Sequence, residues 1–130
     1  MNKKGQALLL AIFSLILISL LVSAFLELTT IDLQIISNHL MRNQALYIAD
    51  AGIEYAISQL RTNKNWKRTP QPIELPAGSG NTYDVTYSSV SGKINSVARL
   101  TSGQQISLEA KVSVKANAPY NVKIIYWREL

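Results

Sequence analysis

The sequence predicts an α+β fold, in which one long N-terminal helix packs under a small antiparallel β-sheet of three to four strands. Two observations lead to this fold class. Residues 1–62 contain no proline and show a helical spacing of apolar and small side chains. Residues 63–130 contain all four prolines and short segments that alternate apolar with polar side chains. Side chains repeat every 3.6 residues on a helix and every 2 on a strand, so the change of period marks a change of structure.

A short basic stretch ends at Gly5 and precedes an uncharged, apolar run over residues 7–26. At 1.5 Å rise per residue this run makes a helix of about 30 Å, the thickness of the hydrocarbon core of a bilayer. It is longer than the apolar part of a secretory signal, and the large side chain of Phe25 makes a poor cleavage site. Lys3 and Lys4 favour the cytoplasmic side, so we expect a single-pass protein with its C-terminal part exported.

The helix is expected to continue past the membrane through residues 28–62, because this stretch has no proline and its only glycine is Gly52. Ala45, Ala49, Gly52 and Ala56 recur at spacings of 4, 3 and 4, and we call them the small-residue face. Residues three and four apart lie on one side of a helix. The small-residue face is therefore predicted to pack directly beneath the sheet.

The remaining part of the chain, residues 63–130, is predicted to form a β-sheet head. Alternating apolar side chains predict strands over residues 82–87, 94–100 and 106–114, and a last strand over 122–126 after Pro119. Ser91-Gly92 and Ser102-Gly103 stand where hairpin turns are needed. An irregular connection precedes the strands and contains Pro70, Pro72, Pro76, Gly78 and Gly80.

Four segments result: a leader over 1–5, a membrane-spanning helix over 6–27, an amphipathic helix over 28–62, and the head over 63–130. The head is basic, with nine lysines and arginines against four acidic residues. These cations are spread over 68 positions without a dense cluster, which is typical of a solvated surface. Nucleic acid is therefore a possible partner but not a favoured one.

No catalytic constellation is present in the sequence. Asp50 and Glu54 are four residues apart on one helix face, but no metal partner or general base accompanies them. The chain has no cysteine, so it has neither a disulfide framework nor a thiolate metal site. We expect a non-enzymatic protein without a cofactor or a bound metal ion.

Several stretches resemble the type IV pilin superfamily, which comprises pilins and the pseudopilins of secretion and competence systems. Residues 43–56, with the sequence NQALYIADAGIEYA, are similar to the corresponding stretch of PilX-like minor pilins. The strand pattern of residues 94–96 and 106–112 and the closing residues 127–129 also resemble that group. The resemblance covers nearly the whole chain and implies the type IV pilin fold.

The resemblance further implies that a prepilin peptidase cleaves between Gly5 and Gln6 and that the new N-terminus at Gln6 is methylated. It implies storage in the inner membrane, with the head outside the cytoplasm, before extraction into a cell-surface or periplasmic filament. The implied partners are other pilin or pseudopilin subunits, the prepilin peptidase, the inner-membrane assembly platform and membrane lipid. Type IV pili, type II secretion and competence machines share this architecture, and the sequence does not choose among them.

The chain departs from the family pattern at two positions. Gln6 replaces the usual first mature phenylalanine, and Leu10 occupies the fifth mature position, where most major pilins carry a glutamate that pairs with the N-terminal amine of a neighbouring subunit. In the family this departure fits minor subunits at a filament tip or in assembly initiation. The alternative is a membrane-tethered extracytoplasmic binding domain that does not polymerise, and such an anchor needs no cleavage after Gly5.

Overall fold

The computed structural model describes residues 2–117 and 120–130, and its element order is one helix followed by five strands. The elements are α1 Lys3–Thr62, β1 Ile73–Glu74, β2 Thr82–Ser88, β3 Lys93–Arg99, β4 Gln105–Val114 and β5 Val122–Glu129. The predicted α+β fold class is confirmed, and the arrangement is consistent with a pilin-type fold. Met1 of the leader and Pro119, which was expected to precede the last strand, lie outside the described residues.

The chain divides into two compact units, an N-terminal unit of residues 1–39 and a head unit of residues 40–130. In the N-terminal unit every described residue is exposed, although half of these residues are large and apolar. This part of α1 is long and apolar enough to span a membrane. Exposed apolar surface of this extent requires cover by lipid or protein.

Two serine side chains within this apolar helix, those of Ser14 and Ser19, are hydrogen-bonded to the helix backbone. The hydroxyl of Ser14 donates to the carbonyl oxygen of Leu10, and that of Ser19 to the carbonyl oxygen of Leu15, each at 2.8 Å. A hydroxyl placed in hydrocarbon without a partner costs free energy, and bonding to the carbonyl four residues earlier removes that cost. The two serines are therefore compatible with a lipid-facing helix.

In the head unit the strands form one antiparallel sheet in chain order, β1-β2-β3-β4-β5. Gly92 and Gly103 occupy the β2–β3 and β3–β4 turns with φ of 66° and 89°, a left-handed conformation that glycine adopts without steric cost. The fifth strand, absent from the prediction, is β1. It has two residues and pairs Ile73 with Tyr83 and Glu74 with Thr82.

Strand β5 forms one edge of the sheet and contains an irregularity. Lys111 pairs with Tyr126 and Val112 with Ile124, so Ile125 is an extra residue in the ladder. Because a bulge adds one residue to the strand, the side chains that follow it point to the opposite face from the one that strict alternation would give them. As a result, Ile124 and Trp127 point towards the helix side of the sheet, while Tyr126 and Arg128 lie on the opposite side.

The core of the head unit lies between residues 45–60 of α1 and one face of the sheet. Tight packing of a helix on a sheet requires apolar side chains on both surfaces, and both supply them. The buried apolar residues are Ala45, Ile48, Ala49, Ile53, Ala56, Ile57, Leu60, Tyr83, Val85, Ile94, Ala98, Leu100, Ile106, Leu108, Ala110, Val112 and Val122.

Candidate functional site

The predicted processing position lies in the first turns of α1. The N–H groups of Gly5 and Gln6 both donate to the carbonyl oxygen of Asn2, at 2.8 and 3.2 Å. A methyl group placed on Gly5 would have no neighbour within 4 Å. Glycine lowers helix stability by about 1 kcal/mol relative to alanine, which eases the local unwinding that a peptidase needs to bind an extended chain.

Leu10 lies one turn after Gln6 and is 67% exposed. Together with Leu9 and Phe13 it forms a shallow apolar surface beside Gln6. A leucine here offers neighbouring molecules apolar contact only. A carboxylate at the same position would carry a charge whose transfer into lipid costs several kcal/mol unless it is paired.

The small-residue face lies at the interface between α1 and the sheet. Ala45, Ala49 and Ala56 each have 0% exposure, and Gly52 is also buried. Their short side chains let the helix axis approach the sheet closely, as larger side chains would hold the two elements apart.

Gly52 marks a point of close approach. A methyl group there would collide with the hydroxyl oxygen of Ser96 on β3 and lie 2.9 Å from Cγ2 of Val85 on β2. Ser96 is fully buried, and its hydroxyl makes no hydrogen bond with the described part of the chain. Both positions therefore require small side chains, and an alanine at Gly52 has no space.

Arg42 and Glu129 connect α1 to the end of β5 within the head unit. Nη2 of Arg42 donates to both carboxylate oxygens of Glu129, at 2.9 and 2.7 Å. The side chains are 50% and 37% exposed, so solvent screens the interaction and its contribution to stability is about 0–1 kcal/mol. Its main effect is to fix the position of β5 relative to the helix.

The sheet face opposite the helix carries a buried acid that sequence reasoning missed. Glu109 is only 6% exposed and accepts hydrogen bonds from Nζ of Lys93 and the hydroxyl of Tyr126, both at 3.1 Å. Arg128 completes the cluster, with Nη2 lying 2.8 Å from Oε1 of Glu109. Burial by itself raises the pKa of Glu109, but hydrogen bonds from Lys93 and Tyr126 and the positive charges outweigh it and hold the pKa below its ordinary value of 4.5.

A second feature missed by sequence reasoning is an open groove of about 250 Å³ beside the exposed side of α1. Tyr47 and Trp127, which are 76% and 49% exposed, line it together with Asn43, Leu46 and Asp50. Trp127 reaches this groove from β5 because the bulge at Ile125 sets the face on which it lies. The sequence feature that points to the groove is an aromatic residue in each of the two elements that line it, Tyr47 in α1 and Trp127 in β5.

Asp50 and Glu54 are both exposed, and neither forms an ion pair with another described residue. Within residues 2–117 and 120–130, no three His, Cys, Asp or Glu side chains are close enough together to hold a metal ion. The surface features of the head unit described so far are the aromatic groove and the charged clusters.

Comparisons with protein-family models, with curated proteins and with solved structures find no match for this chain.

Proposed function

We propose that this chain is a minor pilin or pseudopilin, a non-enzymatic structural subunit of a type IV pilus, a type II secretion filament or a competence filament. One observation carries the proposal: α1 combines a fully exposed apolar part with a small-residue face that is buried under a sheet. The resemblance of residues 43–56 to PilX-like minor pilins supports the same function.

The exposed apolar part of α1 suits a subunit that is stored in a membrane and later assembled. In the bilayer, lipid chains cover this surface. When the subunit leaves the bilayer, apolar surfaces of neighbouring subunits must replace the lipid, since exposure of so much apolar surface to water is unfavourable. The side chains of Leu9, Leu10 and Phe13 offer such a surface at the start of the helix.

In this proposal a prepilin peptidase removes residues 1–5 and Gln6 becomes the methylated N-terminus. The protein resides in the inner membrane with its N-terminus in the cytoplasm and its head outside, where the assembly platform extracts it. Lys3 and Lys4 before the apolar run, together with the absence of lysine and arginine from residues 27–41 after it, support this orientation.

In this proposal the subunit acts at the filament tip or in assembly initiation, and the leucine at position 10 supports that role. An incoming subunit that carries a carboxylate at this position can pair it with the amine of the subunit already in place. This chain has no such acid, so it is not recruited in that way, yet its own N-terminal amine still accepts the carboxylate of the next subunit. A subunit with these properties comes first in a filament.

A membrane-tethered extracytoplasmic binding domain that does not polymerise is the second candidate function. The groove beside Tyr47 and Trp127 favours it, because exposed aromatic side chains in a concave surface are typical of binding sites. Such a protein would gain nothing from cleavage after Gly5, and processing therefore separates the two candidates.

The test is co-expression of the full chain with a prepilin peptidase, followed by measurement of its intact mass. We expect loss of residues 1–5 and addition of one methyl group. Gly5→Leu should block cleavage, whereas Gln6→Phe, which restores the residue usual in the family, should be processed at least as well as the parent. A chain that keeps residues 1–5 beside an active peptidase would contradict the pilin function and favour the tethered binding domain.

A further inference from the structure

One end of the head unit carries six exposed cations that come from two separate parts of the chain. Four lie at the end of α1 and in the segment after it, and two flank the β4–β5 connection. We call this set the basic pole, and it consists of Arg61, Lys64, Lys67, Arg68, Lys115 and Lys123.

Specific contacts hold the two parts of the basic pole at the same end of the sheet. The ammonium group of Lys64 lies 5.9 Å from the ring centre of Tyr120, which belongs to the β4–β5 connection. The carbonyl oxygen of Lys67 accepts a 2.6 Å hydrogen bond from the N–H of Tyr87 near the end of β2. The cations are therefore placed by the fold and do not sit on a loose tail.

The basic pole is not neutralised by the protein itself. Residues 61–73, 85–95, 110–117 and 120–123 contribute to this end of the head unit, and none of these segments contains an aspartate or a glutamate. Two acids contact them from outside: Glu109 pairs with Lys93, and Asp84 accepts a 2.6 Å hydrogen bond from the hydroxyl of Thr69. No residue of the basic pole forms an ion pair within the described chain. Like charges held together repel each other and destabilise the folded state, which favours binding of an anionic partner.

Three other cations of the head unit are neutralised by acids. Arg42 pairs with Glu129, and Lys93 and Arg128 both pair with Glu109. Eight cations of the head unit have no ion pair within the described residues, and six of these eight form the basic pole, the other two being Arg99 and Lys111.

The surroundings of the basic pole distinguish among anionic partners. Within these four segments of the described chain, Val90 is the only large apolar side chain that is mostly exposed. Protein interfaces have apolar centres depleted in charge, and stable attachment to a membrane surface uses inserted apolar side chains. Binding to the phosphate backbone of nucleic acid needs only well-placed cations.

We propose that the basic pole binds duplex nucleic acid through its phosphates, without reading the base sequence. Along the sequence the cations after Asn63 are dispersed, which made nucleic acid a less favoured partner. The fold brings Lys115 and Lys123 to the segment that contains Arg61–Arg68, where four of eight residues are basic. The proposal does not depend on whether the chain enters a filament.

The test measures binding of fluorescently labelled duplex DNA to the full chain in nanodiscs of phosphatidylcholine, by anisotropy over a range of salt concentrations. Two duplexes of unrelated sequence should bind with equal affinity. Four to six phosphate contacts give a slope of log K against log salt between about −3 and −6. Lys67→Gln should make this slope shallower by about 1 and weaken binding roughly five- to tenfold near physiological salt.

Arg99→Gln is the matched control, because Arg99 is exposed, forms no ion pair within the described chain and lies at the opposite end of β3. It removes the same charge and should leave DNA binding unchanged, while Lys67→Arg should retain it. An equal loss in Arg99→Gln and Lys67→Gln would overturn the proposal, since net charge alone would then explain the binding. Binding of polyglutamate or phosphatidylglycerol vesicles without binding of DNA would also overturn it.

Discussion

Gly52 on α1 and Ser96 on β3 face each other across the helix–sheet interface with no space for a methyl group between them. The glycine is costly in the middle of a helix, by about 1 kcal/mol relative to alanine. Its presence is explained by the sheet, since Val85 and Tyr83 also lie within 3.0 Å of the position that a methyl group would occupy.

Gly52→Ala should destabilise the head unit although alanine favours the helix. The new methyl group meets three side chains on two strands, which cannot all move away, and overpacking of this kind costs about 1–3 kcal/mol. The measurement is thermal unfolding of the full chain in detergent micelles, followed by near-ultraviolet circular dichroism.

Ser96→Gly should recover part of the loss, because it removes the nearest of the three contacts. Gly5→Ala provides the matched control on the same helix, since nothing lies within 4 Å of that position and the unfolding of the head unit should not change. An unfolding temperature of Gly52→Ala equal to that of the parent would show that the interface adapts more readily than its geometry indicates.

Ala49→Leu should lower the free energy of unfolding by about 1–3 kcal/mol, because Ala49 is fully buried under the sheet. Asp50 is the neighbouring residue on the exposed side of the helix, so Asp50→Leu should have little effect. Chemical unfolding of both variants, monitored by tryptophan fluorescence, compares them directly. The reverse order of effects would mean that the buried side of α1 is assigned wrongly.

Removal of the Glu109 charge should change the acid stability of the head unit. The folded pKa of Glu109 is lower than its ordinary value of 4.5, so the ionised carboxylate stabilises the fold above pH 4.5. This contribution is lost as the pH falls from 4.5 through the lower folded pKa. Glu109→Gln should therefore destabilise the protein near neutral pH and flatten the decline in stability at acid pH.

Glu54→Gln is a suitable control for this titration, because Glu54 is exposed and has no ion pair among the described residues. Its stability profile should follow that of the parent from neutral to acid pH. If Glu109→Gln shows the same acid decline as the parent, the cluster of Lys93, Tyr126 and Arg128 does not hold the carboxylate in its charged form.

Because Leu10 stands where a docking carboxylate is expected, we predict that filaments contain this subunit at less than one copy per helical repeat. Deletion of the protein should reduce the number of filaments per cell, and purified filaments should contain it as a minor component by quantitative mass spectrometry. Leu10→Glu should raise its proportion, because the introduced carboxylate can pair with the amine of a subunit already in place. Leu10→Gln is the control of similar size without charge. A parent chain found at one copy per helical repeat would contradict the tip position.

Four of the five strands and the buried side of α1 were readable from the sequence, because each depends on local periodicity. Strand β4 alternates over ten residues, and the spacing of small residues repeats over three turns of helix. Strand β1 has two residues near several prolines, and so short a segment has no period to detect.

The clusters that the sequence did not predict depend on register and on tertiary contacts. Lys93 and Arg128 reach Glu109 from the strands on either side of β4, and the bulge at Ile125 decides which residues of β5 share its face. The basic pole likewise combines residues 61–68 with Lys115 and Lys123, which lie 47 or more positions later in the sequence. The pattern of residues along the sequence does not show which distant side chains come close together until the pairing of the strands is known.

The order of the strands has a consequence for how the newly made protein matures. Each strand pairs with the one directly before it, so every hairpin can close once its second strand is available, without waiting for later parts of the chain. The small-residue face and its neighbour Ile53 are synthesised earlier, and they remain uncovered until β2, β3 and β4 have emerged. During that interval the nascent chain exposes the apolar surface that chaperones and quality-control proteases recognise, and docking of the completed sheet ends this period of vulnerability.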